Sequence, residues 1–373
     1  MFLTSENVVH YLLFRGLVES QEVAGCGLTI QNEGRRNRNF KILIDGKSGL
    51  FIKQVPGVFA ETTNSIFREA LCCDLAESDS RFSSLRPYIA RLIDYDPQRH
   101  TLTTECLPPC DNLSAFHLRT RSFSEGLAAA FGRALGEIHA SSEAVSSPNG
   151  AAFPRIPPWV LTIARTAETV FHNMNPATKA LVSMLRANTV LVVGLHALGA
   201  NWRTDTLIHG DVKWDNFLVL RNSLDGGDPQ IRIVDWELAD LGDASWDVGC
   251  AFCAFLQHWL VTMSAEASSL DTRTLVENAP HRLEETWTAL KALWRAYTIA
   301  RGFTTVQAAA ELRRAVGFTA ARLVLTAFEI TMRMPEVSRT PTLCLELATS
   351  ILACPEWALG GVFGFSANAT GVH

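Results

Sequence analysis

The sequence predicts an α+β chain with a small antiparallel β-sheet lobe first and a larger, mainly helical lobe after it. Three observations predict this. Before residue 107, short strand-like apolar runs are separated by tight turns at Gly34-Arg-Arg-Asn37 and Gly46-Lys-Ser-Gly49. Beyond residue 107, apolar residues recur at helical spacing over long segments. With 373 residues, 47% of them hydrophobic and 19% charged, the chain is globular and long enough for two cores. The expected division is 1–106 and 107–373.

In chain order, Val8–Val18 has the spacing of a short leading helix. Gly27–Glu33, Asn39–Asp45 and Leu50–Val55 are three expected strands, Lys53 lying on the third. Thr63–Glu77 is an expected helix carrying Glu69, and Ala90–Asp96 with Thr101–Leu107 make a hairpin through Pro97–His100. Five strands and one helix result. Thr104–Pro109 crosses to the second lobe, and Ser124–Ala140 is helical. Ser141–Pro158 is rich in Ser, Pro and Gly and is expected to be a loop. Trp159–His172 and Ala177–Leu198 are expected as two helices, then Arg282–Arg301, Val306–Met334 and a last one at Pro341–Leu352. Phe363–His373 is expected to be loose.

A net charge of −5 argues against nucleic acid as a partner. No apolar run reaches membrane-spanning length, the longest being Val190–Ala200 with His196 inside it, so no membrane is expected. The start carries Glu6 and no basic region before an apolar core, hence no secretory signal. Nine cysteines in such a chain suggest reduced thiols and a cytoplasmic location. Cys250-x-x-Cys253 lies in an apolar run without a second ligand pair, which favours core packing over zinc.

The chemistry concentrates in Leu207-Ile-His-Gly-Asp-Val-Lys-Trp-Asp-Asn-Phe-Leu-Val-Leu220 and Ile231-Arg-Ile-Val-Asp-Trp-Glu237. Asp211 and Asn216 sit five residues apart in a loop, and Asp235 follows a strand-like run. This is the order found in kinases: a catalytic loop H-x-D-x-x-x-x-N, a short hairpin, then a metal-binding Asp. Phosphoryl transfer needs a carboxylate beside the acceptor hydroxyl and oxygen ligands for Mg²⁺. Asp211 suits the first task, Asn216 and Asp235 the second.

His209-Gly-Asp211, Asp235-Trp-Glu237 and Gly242-Asp-Ala-Ser-Trp-Asp247-Val-Gly together resemble the aminoglycoside phosphotransferase and choline kinase group. The resemblance spans roughly Gly25 to Gly249. It implies a protein-kinase-like fold, ATP or another NTP, Mg²⁺ and a hydroxyl acceptor. It puts Lys53 on the α- and β-phosphates, with Glu69 as its ion-pair partner. The Gly34–Asn37 turn would cover the phosphates, and Glu105 and Leu107 would meet the adenine through their backbone. Lys213 falls at the offset where protein kinases place a lysine on the transferred phosphate, a position that varies in the aminoglycoside group, and would stabilise charge on the transferred phosphoryl group. Asp247 would accept bonds from the catalytic-loop backbone, and His139 would be a packed histidine. The turn carries Arg35 and Arg36 and departs from the G-x-G-x-x-G of protein kinases; the Ala-Pro-Glu segment is missing too.

The same family fold phosphorylates sugars, choline-like amines, amino acids and peptide Ser/Thr, so the acceptor stays open between a small molecule and a peptide. A pseudokinase that binds nucleotide or peptide without turnover is the alternative. Residues 141–200, in the segment the resemblance assigns to acceptor binding, hold only Glu143 and Glu168 as acids, against Arg155, Arg165, Lys179 and Arg186. A polycationic aminoglycoside needs the reverse balance, because each desolvated ammonium needs a carboxylate.

Overall fold

The computed structural model describes residues 2–25, 27–34, 37–55, 60–140, 148–224, 228–264 and 272–365. Its fold class is the one the sequence predicts: a five-stranded antiparallel sheet, two smaller sheets of two and three strands, and a mainly helical remainder. Contacts group the chain into two units. The first is 1–113 with 151–153 and 216–239; the second is 114–150, 154–215 and 240–373. The expected boundary at 106/107 differs from this grouping, which returns residues 216–239 to the first unit. The reason is local pairing. Cys110–Asn112 forms a strand with Phe217–Leu220, which pairs in turn with Ile231–Ile233. Arg221 N–H also donates to the Pro109 carbonyl (3.0 Å), and Ile233 N–H to that of Tyr88 (2.6 Å).

In the first unit, helix α1 (Val8–Arg15) ends at Gly16, whose φ of 68° is the left-handed stop that glycine adopts without strain. A short helix, α2 (Ser20–Ala24), follows, so the predicted Val8–Val18 helix is shorter than its apolar spacing. The strands β1 (Leu28–Asn32), β2 (Arg38–Ile44), β3 (Leu50–Gln54), β4 (Leu92–Asp96) and β5 (Thr101–Glu105) run antiparallel in the order β1-β2-β3-β5-β4. Helix α3 (Ala60–Ser78) carries Glu69. Ile42 and Ile52, with Leu3, Val8 and Leu12, form one core; Val55, Ile66, Ala70 and Leu102 form another beside α3. In the register, Lys53 faces Asn39 on one side and Leu102 on the other, at the centre of the sheet.

The second unit begins with α4 (Leu113–Thr120, its first residue in the first unit) and α5 (Glu125–Ala140). The expected helix over Trp159–His172 is instead two 3₁₀ segments, Trp159–Arg165 and Glu168–Phe171, separated by extended Thr166 and Ala167. Thr162, Ile163, Thr166, Thr169 and Val170 are β-branched, and an α-helix restricts their side chains. The expected Ala177–Leu198 helix is two, α6 (Pro176–Ala187) and α7 (Thr189–Ala200), bent 87° at Asn188. Asn188 ends the first and caps the second, its side-chain oxygen accepting from Leu191 N–H at 3.2 Å. Beyond lie α8 (Ala244–Ser264), α9 (Thr272–Glu277), α10 (Trp287–Ala300), α11 (Thr305–Thr331), α12 (Arg339–Ala353) and α13 (Pro355–Gly361). Phe363 and Phe365, expected to be loose, are 0% and 4% exposed and pack with their rings tilted against Phe252. The rest of that tail, 366–373, lies outside the described residues, as do 141–147 of the expected loop.

Helices α5 and α10 pack with almost no space at two glycines one turn apart. A Cβ on Gly132 would strike the Leu293 carbonyl, and one on Gly136 would meet Ala300 Cβ at 2.6 Å. Gly132→Ala is expected to lower stability by about 1–3 kcal/mol, the range for overpacking. Denaturant titration checks it, and an unchanged midpoint would show that the helices separate without cost.

Candidate active site

Strand β3 holds the Lys53 side chain inside the first unit, where it is 6% exposed. Its Nζ lies 2.6 Å from Glu69 Oε2, is hydrogen-bonded to Asp235 Oδ1, and stands 3.7 Å from Glu237 Oε2. Burial alone would pull this ammonium below its ordinary pKa. The carboxylates of Glu69, Asp235 and Glu237 outweigh it and hold the pKa above that value.

Asp235 ends the strand Ile231–Ile233 plus one residue and turns left-handed (φ 68°, ψ 50°), starting a single 3₁₀ turn at Trp236–Leu238. Asp tolerates this region better than most residues. Trp236 is 1% exposed, and its indole N–H donates to the Ile233 carbonyl at 3.0 Å, which locks the turn. Asn216 precedes the partner strand. Its carbonyl accepts from Val234 N–H at 3.0 Å, so the hairpin register sets Asn216 beside the residue before Asp235.

Other expected binding residues of this unit lie apart from that cluster along the chain. Gly34 N–H is taken by the Asn32 side chain at 3.0 Å, and Glu33 N–H bonds the Asn39 carbonyl across the turn that contains Asn37. Arg35 and Arg36 lie outside the described residues. Glu105 pairs with Leu50 in the sheet and exchanges bonds with Arg91: its N–H to the Arg91 carbonyl at 3.0 Å, and Arg91 N–H to its Oε1 at 3.1 Å. Leu107 follows at the strand exit, where Cys106 N–H bonds the Gly49 carbonyl at 2.8 Å.

The His209–Asp215 part of the loop expected to be catalytic belongs to the second unit. The loop is held from below by Asp247 on α8, which is fully buried. Its oxygens accept from His209 N–H at 2.6 Å and Gly210 N–H at 3.0 Å, and His139 Nε2 stands 3.2 Å away. Gly210 has φ 80°, a turn for which glycine is suited, and its carbonyl accepts from the Trp246 indole at 3.0 Å. His139 at the end of α5 is 1% exposed and meets Tyr297 Oη at 3.2 Å, a packed histidine.

Asp211 lies on this braced loop. Lys213 Nζ is hydrogen-bonded to its Oδ2, Arg322 Nη2 stands 3.8 Å from its Oδ1, and its own N–H donates to His209 Nδ1 at 3.2 Å. Burial would raise this carboxyl's pKa. Lys213 and then Arg322 outweigh that and hold it below the ordinary carboxylate value. The sequence reading missed Arg322. Its signal was a lone arginine inside Val316–Leu325, an otherwise apolar stretch that a soluble helix must bury.

Cys250 and Cys253 are buried on α8, as core packing requires. Among the described residues no group of three or more His, Cys, Asp or Glu has the geometry of a self-contained metal cage. None of the helices among them is by itself long and apolar enough to cross a membrane.

Solved structures with the same fold include a choline/ethanolamine kinase family protein from Mesorhizobium loti (TM-score 0.53, 16% identity, 95% of this chain and 99% of that one). A choline kinase from Cryptosporidium parvum Iowa II gives a TM-score of 0.57 at 12% identity, over 97% and 98% of the two chains. A GDP complex of aminoglycoside 2'-phosphotransferase-IIIa gives 0.53 at 14%, over 91% and 98%. A search of curated sequences found no match. The model of the phosphotransferase enzyme family matches residues 28–293, most of the chain and both clusters described above, and the chain therefore belongs to that family.

Proposed function

We propose that this phosphotransferase moves the γ-phosphoryl group of ATP, or another NTP, to a hydroxyl of a small molecule or of a peptide Ser/Thr, with Mg²⁺. The observation that carries this reading is the charge balance around Lys53. One ammonium faces three carboxylates, Glu69, Asp235 and Glu237, within 3.7 Å. A cation with hard oxygen preference would offset the remaining negative charge, and Mg²⁺ is typically held by one or two protein carboxylates plus phosphate oxygens. Asp235, 32% exposed at its side chain, and the neighbouring Asn216 fit such an ion. When bound, it draws together and neutralises phosphate oxygens.

In this reading residues 1–106 form the nucleotide-binding lobe, with Lys53 on the α- and β-phosphates. Gly34, Asn37, Glu105 and Leu107 contribute backbone contacts to the nucleotide. The acceptor oxygen forms a bond to the γ-phosphorus while the bond to the β,γ-bridging oxygen breaks. The acceptor's proton passes to the Asp211 carboxylate, and the nucleoside diphosphate departs. Because phosphoryl transfer has a loose transition state, the acceptor needs orientation more than a strong base. A carboxylate held ionised suits that task. Lys213 releases Asp211 and turns its charge to the transferred group. The GDP bound to the aminoglycoside 2'-phosphotransferase-IIIa, and the choline named for two other neighbours, support nucleotide use and a small-molecule acceptor.

The acceptor is less cationic than a classical aminoglycoside, because residues 141–200 are basic. Among the described ones, residues 148–200, the single acid is Glu168, 3.9 Å from Arg186. Steady-state assays with kanamycin-like and neomycin-like compounds, beside sugars, amino alcohols and Ser/Thr peptides, test this. Aminoglycosides are expected to fall far below the ~10⁴ M⁻¹s⁻¹ of real substrates. Efficient aminoglycoside turnover would overturn the acceptor assignment and leave the phosphotransfer reading intact.

A further inference from the structure

We propose that Arg322 is a positioning residue for Asp211: held from the surface side by Glu329, its guanidinium fixes the direction of the Asp211 carboxylate from inside the helical unit. The inference rests on the reading of Asp211 as the base.

Arg322 is 3% exposed, on a stretch of α11 where Ala320, Ala321, Leu323 and Val324 are all 0% exposed. A buried guanidinium is costly unless paired, and packing alone would be served better by Leu or Met. Its pairing is specific. Glu329, two helical turns on, takes Nη1 and Nη2 at 2.9 and 3.2 Å through its two oxygens. That clamp fixes the plane of the guanidinium and aims Nη2 at Asp211 Oδ1, 3.8 Å away.

Asp211 needs such a brace. The last torsion of an Asp side chain is broad and roughly two-fold, so the backbone of the loop does not set it. Lys213 engages Oδ2, yet its side chain is 35% exposed and flexible, and it has a second task in the reaction. Arg322 stands against the other oxygen, is 4% exposed at its side chain and has no room to leave. The charged and titratable groups that bear on Asp211 are Lys213, Arg322 and His209; those that bear on Arg322 are Glu329, Cys250 and Asp211.

The test uses the full-length protein labelled with ¹³C-carboxyl aspartate, with Asp211→Asn to assign the Asp211 signal. Phosphate release from Mg²⁺-ATP, with water as the acceptor, is measured beside it. Removing a cation raises a carboxyl pKa, so Arg322→Met is expected to move the Asp211 titration upward by about one unit. The rate should fall about tenfold while the KM for Mg²⁺-ATP stays within about twofold, since only orientation is lost. Arg322→Lys keeps the charge but not the planar fork, so the titration should stay near the wild-type position while the rate drops several-fold. Glu329→Gln alters a side chain that is 47% exposed and keeps an oxygen for the guanidinium, and it should also lose rate at constant KM.

An Asp211 titration unmoved in Arg322→Met, or wild-type rates in both Arg322→Lys and Glu329→Gln, overturns the proposal. Those last two variants decide the matter if Arg322→Met does not fold. If Asp211→Asn itself keeps the rate, the base assignment falls, and the carboxyl titration still decides whether Arg322 holds Asp211.

Discussion

Asp211→Asn is expected to lose ~10²-fold or more in turnover, the scale of a positioned general base. That is about 2.7 kcal/mol of transition-state stabilisation. The amide keeps the shape of the carboxylate and its place on a loop held by Asp247 through His209 and Gly210 N–H groups. What it loses is the capacity to take the acceptor's proton and the pairing with Lys213 and Arg322. Affinity for Mg²⁺-ATP should change little, because in this account Asp211 acts on the acceptor. Loss of kcat at constant nucleotide Kd is therefore the expected signature. Near-normal turnover would remove Asp211 from the chemistry.

Asp235→Ala is expected to lose Mg²⁺-dependent nucleotide binding, by ~10²-fold or more, since it deletes the one carboxylate assigned to the metal. Two further effects accompany the change. Alanine at φ 68° costs about 1–2 kcal/mol that aspartate partly avoids. Lys53 also loses one of its three carboxylate neighbours. Asp235→Asn separates these effects, because asparagine accepts the left-handed backbone, keeps an oxygen and lacks the charge. It should bind nucleotide in the absence of Mg²⁺ as the wild type does and gain little when Mg²⁺ is added. Asn216→Ala should weaken the Mg²⁺ effect without removing it. Calorimetry with and without Mg²⁺ reads all three, and an unchanged Mg²⁺ response in Asp235→Ala would mean that the metal is held elsewhere.

Much of this molecule was legible in its sequence for identifiable physical reasons. Short apolar runs broken by tight turns at Gly34–Asn37 and Gly46–Gly49 marked the sheet, and the helix carrying Glu69 follows the third strand as expected, so Lys53 and Glu69 meet at 2.6 Å. Asp247 reaches the loop backbone as the resemblance implied. Other features were hidden because they depend on partners distant in sequence. Apolar periodicity at Trp159–His172 signalled burial but not helix type, since β-branched residues left the choice to packing. Asn188 looked like one polar residue in a long helix, whereas its side chain starts a new one. A Gly/Ala-rich tail concealed Phe363 and Phe365, whose burial against Phe252 no local pattern announces. Arg322 lies 111 positions after Asp211, and only the packing of α11 against α8 shows what an arginine is doing in an apolar helix.

The central claim is phosphoryl transfer, as opposed to nucleotide binding alone. It is tested most directly by following the label from ATP radiolabelled at the γ-phosphate, with Mg²⁺ and pooled sugar, amino alcohol and Ser/Thr-peptide acceptors. The account predicts label on an acceptor hydroxyl with the wild type and little or none with Asp211→Asn. Tight Mg²⁺-ATP binding by both proteins, with label remaining on the nucleotide in every pool, would contradict it and make the chain a pseudokinase.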